Sequence, residues 1–317
     1  MRPAVYRRAD LPESVEIYEV GPRDGLQNEA TPVPLEAKVA FITALVSAGL
    51  RVVEATSFVS PTKVPQMSDA EQVLGRLRAL DGVRYPVLVA NLQGLERARR
   101  AGVSDIAVFA SVTETFSQRN LGCGVEESLA RFAPVVSAVA GAGGRVRGYL
   151  SMCFGDPWEA AVAPAAVVGL ARRLVDMGCR DLSIGDTIGV ATPGHVRSVI
   201  DALGRAGIGV ERLGVHFHDT YGQALANVLA ALQSGVTTVD SSAGGLGGCP
   251  FANSATGNLA TEDLVWMLDG LGIVTGVHLD PLVEASAAMA AILGRPSPSA
   301  VLRARLGCAA PGAGSRR

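Results

Sequence analysis

Short runs of β-branched and apolar residues recur along the chain, each followed by a longer stretch in which apolar positions return every three or four residues. The first pattern suits a strand buried on both faces, and the second an amphipathic helix. Eight runs qualify: Glu16–Val20, Val52–Thr56, Tyr85–Ala90, Ile106–Ala110, Val146–Ser151, Leu182–Gly185, Gly214–Phe217 and Thr237–Asp240. The stretches between them end on stop signals, as where Leu35 to Ser47 runs up to Gly49 and Gly222 to Gln233 up to Gly235. Eight strand–helix units in succession predict an α/β fold, a closed (β/α)8 TIM barrel. Beyond the eighth strand, Asn258 to Gly270 and Leu282 to Leu293 read as additional C-terminal helices. The expected organisation is one domain over residues 1–317, with a barrel core over 15–250, a helical extension over 251–295 and a disordered tail over 309–317.

The rival α/β fold, an open doubly wound sheet, would place a glycine-rich phosphate turn after the first strand. Here that strand runs into Gly21-Pro22-Arg23-Asp24-Gly25, which has no nucleotide fingerprint.

With 317 residues, 48% of them hydrophobic, the chain is long enough to bury one large core. A net charge of -2 without Lys/Arg runs gives no electrostatic footprint for nucleic acid or an anionic membrane, which leaves a small molecule as the expected partner. No apolar run reaches spanning length, and no signal-peptide core precedes Val15, so a cytoplasmic location is expected. The five cysteines, Cys123, Cys153, Cys179, Cys249 and Cys308, are scattered without a C-x-x-C pair, against a disulfide framework or structural zinc. Only two lysines exist, Lys38 and Lys63, and neither falls in a strand-like run, which disfavours Schiff-base chemistry.

In such a barrel, chemistry sits at the C-terminal ends of the strands. Polar residues collect there: Arg23-Asp24 after the first strand, Glu54 in the second, Asn91 after the third, Asp186-Thr187 after the sixth and His216-Phe217-His218-Asp219 at the seventh. His-x-His has the two-residue period of a strand, so both imidazoles face one side and can hold one ion. Closure makes the eighth strand a neighbour of the first and brings Asp24 within reach of the histidines; Asn258 could complete the shell. One carboxylate, two imidazoles and an amide oxygen suit Mg²⁺ or Mn²⁺. Simpler readings stand beside these: Arg23-Asp24-Gly25 as an ordinary turn, and Asn258 as the cap of the helix that follows. Arg23 needs an anionic partner, either Glu54 or Asp186, or a substrate oxyanion. Gly244-Gly245-Leu246-Gly247-Gly248-Cys249-Pro250 reads either as a mobile loop carrying Cys249 over the pocket or as a tight turn with an incidental thiol.

The runs Glu19-Val20-Gly21-Pro22-Arg23-Asp24-Gly25-Leu26-Gln27-Asn28-Glu29, Thr56-Ser57-Phe58-Val59-Ser60-Pro61 and Val64-Pro65-Gln66-Met67 extend the match beyond isolated residues. So do Ser183-Ile184-Gly185-Asp186-Thr187-Ile188-Gly189, His216 to Gln223, Gly245 to Pro250 and Gly257 to Asp263. Over roughly Val15 to Leu293 the chain resembles the 3-hydroxy-3-methylglutaryl-CoA (HMG-CoA) lyase family of metal-dependent barrel lyases. The resemblance implies a divalent metal, Mg²⁺ or Mn²⁺, on Asp24, His216, His218 and Asn258, and Arg23 stabilising a thioester enolate. It further implies Cys249 in proton transfer, Glu54 and Asp186 supporting the centre with Gln27 and Thr187 beside the substrate, and Arg119 and Asn120 meeting the nucleotide of an acyl-CoA thioester. A homo-oligomer, as a dimer, is part of the same implication, and Cys308 resembles a cysteine that some members use in redox control between subunits. The family's pattern has a cysteine where Asp156 stands and often a smaller aromatic at Trp158, in the loop after the fifth strand that bears on the acyl group.

The reaction implied is retro-Claisen cleavage to acetyl-CoA and acetoacetate, a step used in leucine degradation and ketone-body formation. The first base is open between His216 and a bound water. A lyase for a related branched 3-hydroxyacyl-CoA, longer-chain or citramalyl-type, is the nearest alternative. A Claisen-type synthase would be expected to carry a regulatory region after its barrel, and a non-catalytic binder to have lost Arg23, Asp24 or Cys249, all of which are present.

Overall fold

The computed structural model describes residues 2–248 and 257–307, so the readings for Cys249, Cys308 and the tail over 309–317 lie outside the described residues. All eight expected strands form in the expected order. They are β1 (Glu16–Glu19), β2 (Val52–Val53), β3 (Thr56–Phe58), β4 (Val87–Val89), β5 (Asp105–Ser111), β6 (Arg145–Ser151), β7 (Asp181–Asp186), β8 (Leu213–Phe217) and β9 (Thr238–Ser241). β2 and β3 are two halves of the second strand, interrupted at Glu54-Ala55, so nine segments make eight barrel strands.

Pairing is parallel throughout, in the order β2-β1-β9-β8-β7-β6-β5-β4-β3, and the two ends of that order are consecutive in the chain. Across the interruption Glu54 N–H donates to Glu19 O at 2.8 Å, while Val53 and Ala55 N–H donate to Arg84 O and Pro86 O at 3.1 and 3.0 Å. The second strand therefore bonds to the first on one side and to the third on the other, which closes the ring.

The helix Leu35–Ser47 matches its expected bounds. It stops at Gly49, whose φ of +108° and 2.1 Å approach of Gly276 O to any added Cβ leave no room for another residue. The helix expected from Asn258 begins later, at Thr261, with Ala260 in the capping position. Asn258 to Ala260 instead return to the barrel rim: Asn258 bridges His218, Ala260 bridges Ser242, and Leu259 N–H donates to Phe217 O at 3.0 Å. The backbone preference for pairing with β8 thus removes Asn258 from the cap role. The expected Leu282 to Leu293 helix starts a turn earlier and spans Leu279–Leu293. A further helix, Ala300–Gly307, has too weak an apolar period to be read in the sequence; Asp263 anchors it by accepting from Ser299 Oγ and the N–H groups of Ala300 and Val301.

Strand residues alternate between two environments. Ile17, Val53, Val108, Leu150, Ile184, Val215 and Val239 join the apolar layer between sheet and helices. The opposite positions face the barrel axis and are largely polar: Tyr18, Glu54, Arg147, Tyr149, Ser183, His216 and Asp240, all but His216 below a tenth exposed. The upper end of this polar interior lies at the C-terminal ends of the strands.

Outside that axis, Glu262 is fully buried, accepting from Gly244 N–H and Ser286 Oγ, and burial pushes its carboxyl up to about 8 despite the Ser286 hydrogen bond. A group whose folded pKa lies above its unfolded value binds extra protons in the native state, so its stabilising contribution is lost as pH rises. Between the ordinary 4.5 and about 8, stability should fall with pH, and Glu262→Gln should flatten that slope. Chemical denaturation across this window checks it; Glu19, raised by burial to about 7, leaves a residual slope, and an unchanged profile in Glu262→Gln contradicts the assignment.

Candidate active site

At the end of β1 the N–H groups of Arg23, Asp24 and Gly25 all converge on Val20 O, at 3.2, 2.8 and 3.1 Å. This single wide turn over Gly21–Gly25, with Pro22 near its start where a missing N–H costs nothing, presents Arg23 and Asp24 side by side at the barrel mouth. Arg23 is buried, and its Nε and Nη1 donate to Glu54 Oε2 at 2.6 Å and Asp24 Oδ1 at 2.8 Å. Of the two acidic partners expected from the sequence, Glu54 takes Arg23. Asp186 does not: its two carboxylate oxygens accept from Val190 and Ala191 N–H and brace the loop after β7, while burial raises its carboxyl to about 6.

Asp24, His216 and His218 come together with one potential ligand atom from each within 4.8 Å of the others. His216 Nδ1 lies 3.3 Å from Asp240 Oδ2, and its Nε2 4.0 Å from Asp24 Oδ2. Asn258 Nδ2 donates to Asp24 Oδ2 at 2.9 Å and to Leu246 O at 3.0 Å. Two acceptors on that side fix the amide's orientation and leave Oδ1 as its acceptor. Among the described residues, Asn258 Oδ1 and His218 Nδ1 are both buried without a hydrogen-bond partner, an arrangement that costs free energy unless another group supplies one. The donor set fits a divalent cation: a carboxylate, two imidazoles and an uncommitted amide oxygen.

Electrostatics favour the same state. Burial opposes ionisation of Asp24, but the Arg23 guanidinium, aided by His216 and the Asn258 amide, outweighs it and holds the carboxyl at about 2. Burial and the neighbouring His216 push His218 down to about 4, so its imidazole is neutral at neutral pH. For His216 burial acts downward, yet the Asp240 hydrogen bond and charge raise it above its ordinary value.

A cavity of about 750 Å³ opens over this cluster. Its walls include Arg23, Asp24, Gln27, Tyr149, Thr187, His216 and His218, together with Asn28, Lys63, Asn91 and Asn120. Asn120 thus lines the cavity, whereas Arg119 lies outside the lining and stacks on Trp158, 4.3 Å from the ring centroid. Thr187 Oγ1 accepts from Met152 N–H at 2.9 Å, and Gln27 Oε1 is buried without a partner among the described residues. No residue of the 154–159 loop lines the cavity. Asp156 staples that loop instead, accepting from Thr113 Oγ1 at 2.6 Å and from Trp158 and Glu159 N–H, so the departure at 156 falls on local structure away from the cavity wall.

Sequence reasoning passed over three residues and set a fourth, Lys63, aside. Asp240 and Arg147 sit below the strand ends, and Tyr149 donates to Glu54 Oε2 at 3.2 Å while its ring lies under Arg23. The signal was present as charged residues at alternating positions of Arg145-Val146-Arg147 and beside Val239. Lys63 lies on a loop rather than a strand, yet lines the cavity; Lys38, buried against Asp69 at 2.8 Å, does not.

A cation held by these groups should stabilise the fold. At a concentration about 100 times its Kd, Mg²⁺ or Mn²⁺ should add about 2.7 kcal/mol to the unfolding free energy. Asp24→Asn should remove that increment in thermal or denaturant melts, and a variant that gains as much as the parent would exclude Asp24 from the site.

Comparison with known proteins places this geometry in context. The family model described as HMGL-like matches residues 14–289. Hydroxymethylglutaryl-CoA lyase of Mus musculus, a mitochondrial protein by name, is 52% identical over 294 residues, covering 93% of this chain and 90% of its own length. The crystal structure of hydroxymethylglutaryl-CoA lyase from Pseudomonas aeruginosa superposes with a TM-score of 0.92 at 47% identity, covering 94% of this chain and 99% of that one. An HMG-CoA lyase from A. baumannii, solved in complex with coenzyme A and 3-methylmalate, gives 0.87 at 34% identity over 98% of this chain and 99% of its own. The polar barrel mouth that unites Arg23, Asp24 and the two strand histidines therefore belongs to a chain of the HMGL-like family.

Proposed function

We propose that this chain is a metal-dependent carbon–carbon lyase that cleaves HMG-CoA to acetyl-CoA and acetoacetate. The observation that carries the proposal is the meeting of Asp24, His216 and His218 beside the buried Arg23, under a cavity of about 750 Å³, in a chain of this family. The A. baumannii relative with coenzyme A supports an acyl-CoA thioester as the ligand of that cavity. Asp24, His216, His218 and Asn258 would hold the divalent ion, with Mg²⁺ or Mn²⁺ as its identity. When bound, the ion acidifies the substrate's tertiary hydroxyl and fixes its orientation.

The rest follows from the chain's own groups. Removal of the hydroxyl proton lets the adjacent carbon–carbon bond break, leaving a ketone on one fragment and an enolate on the thioester fragment. Arg23 is placed to meet the negative charge that develops on the thioester oxygen. Its guanidinium is held by Glu54 and Asp24 before the substrate arrives, so little reorganisation is needed as charge appears. Burial works against the charge on Arg23, but those two carboxylates outweigh it and keep the guanidinium fully protonated. Protonation of the enolate carbon is assigned to Cys249, which lies outside the described residues. Gln27 and Thr187 flank the reacting atoms, and Asn120 with Arg119 would meet the nucleotide end. One catalytic domain, a cytoplasmic location and a homodimer complete the proposal; family membership carries no compartment with it, since the Mus musculus relative is named mitochondrial.

Incubation with HMG-CoA and Mg²⁺ or Mn²⁺ should release equal amounts of acetoacetate and acetyl-CoA, and a chelator should stop release. Arg23→Gln should lower kcat by about 10²–10³-fold or more, with metal binding retained, because it removes charge stabilisation at the transition state. Absence of acetoacetate from the metal-loaded protein would overturn the substrate assignment, and an unchanged kcat in Arg23→Gln the role of the guanidinium.

A further inference from the structure

We propose that Asp240 is a positioning residue that fixes the tautomer and ring orientation of His216, and that Arg147 and Ser183 hold Asp240 in place to do so. The inference rests on the reading of His216 as a metal ligand and adds what makes it a competent one.

Asp240 lies on β9 directly opposite His216 on β8, so both side chains project from the same level toward the barrel axis. It is 1% exposed. Oδ2 accepts from Ser183 Oγ at 2.7 Å and lies 3.3 Å from His216 Nδ1, and Oδ1 accepts from Arg147 Nη2 at 2.5 Å. Arg147 is itself held between two rings, 4.1 Å from the centroid of Tyr18 and 5.4 Å from that of Tyr149. A carboxylate at this depth is expensive unless compensated, and Arg147 is the compensating charge. Purely structural pairing would be complete with Arg147 and Ser183, yet the remaining reach of Oδ2 goes to an imidazole.

The consequence is chemical. An ionised carboxylate only accepts hydrogen bonds, so the His216 nitrogen facing it must carry the proton. That leaves the Nε2 lone pair bare on the side of Asp24. The carboxylate also raises the electron density of the ring, which strengthens it as a ligand.

Long-range ¹H–¹⁵N NMR of histidine-labelled, metal-free protein at about pH 9, above the ordinary imidazole range, tests this directly. Comparison with His216→Gln identifies the His216 signals. The expected spectrum has the proton on Nδ1 and a bare Nε2; a proton on Nε2 overturns the proposal. Asp240→Asn should erase that preference and weaken Mn²⁺ binding by about 10–100-fold in calorimetry, the usual range for loss of an outer-shell partner. Unchanged Mn²⁺ affinity in a folded Asp240→Asn protein also overturns it. Should that variant fail to fold, the tautomer of the parent protein decides alone. A parent that binds no Mn²⁺ would instead refute the metal reading, leaving the tautomer to judge Asp240 separately.

Discussion

The hydrogen bonds between β1 and β9 are what make a site possible at all. They set Tyr18 against Asp240 and Glu19 against Ser241, while β9 in turn sets Asp240 against His216. Through those two registers the turn after the first strand lies beside His216 on β8 and His218 just after it. Asn258 then reaches Asp24 across 234 positions of sequence, in one 2.9 Å hydrogen bond. None of these contacts is local, so the cluster exists only in the closed barrel, and the apolar layer that packs helices onto the sheet is what holds the ring shut.

Inside that ring, buried charge is organised rather than avoided. Arg23 is shared by Glu54 and Asp24, and Arg147 is paired with Asp240. Tyr149 connects the two systems, its ring lying near both guanidinium groups and its hydroxyl donating to Glu54. Each charge has a partner, which offsets its desolvation, but removing any one strands its neighbour. In the proposed reaction this network would keep the Arg23 guanidinium aimed where charge develops.

Much of this was legible from the residues. The eight strands could be read because each is a short β-rich run followed by a helical period, and His216 and His218 because their spacing equals the strand repeat. Asp24 and Arg23 were legible by position, at the end of the first strand. Asn258 was ambiguous between ligand and cap, since residues that follow a strand and precede a helix look alike in one dimension; its bridge to His218 resolves its place in the fold. Asp186 looked equivalent to Glu54 as a partner of Arg23, and only the loop geometry shows that it caps Val190 and Ala191 instead. Asp240, Arg147 and Tyr149 were missed because attention to strand ends overlooks the layer beneath, where polar residues answer one another across the barrel. Lys63 was set aside because a loop residue's direction is not encoded in any periodicity.

In the proposed site one divalent ion would sit where the ends of β1 and β8 meet. Crystals soaked in Mn²⁺ and measured at the manganese edge test it most directly. The expected result is a single strong anomalous peak within coordination distance of Asp24, His216 Nε2, His218 and Asn258 Oδ1. An empty cluster at saturating Mn²⁺, or a peak held by other residues of the cavity, would contradict it.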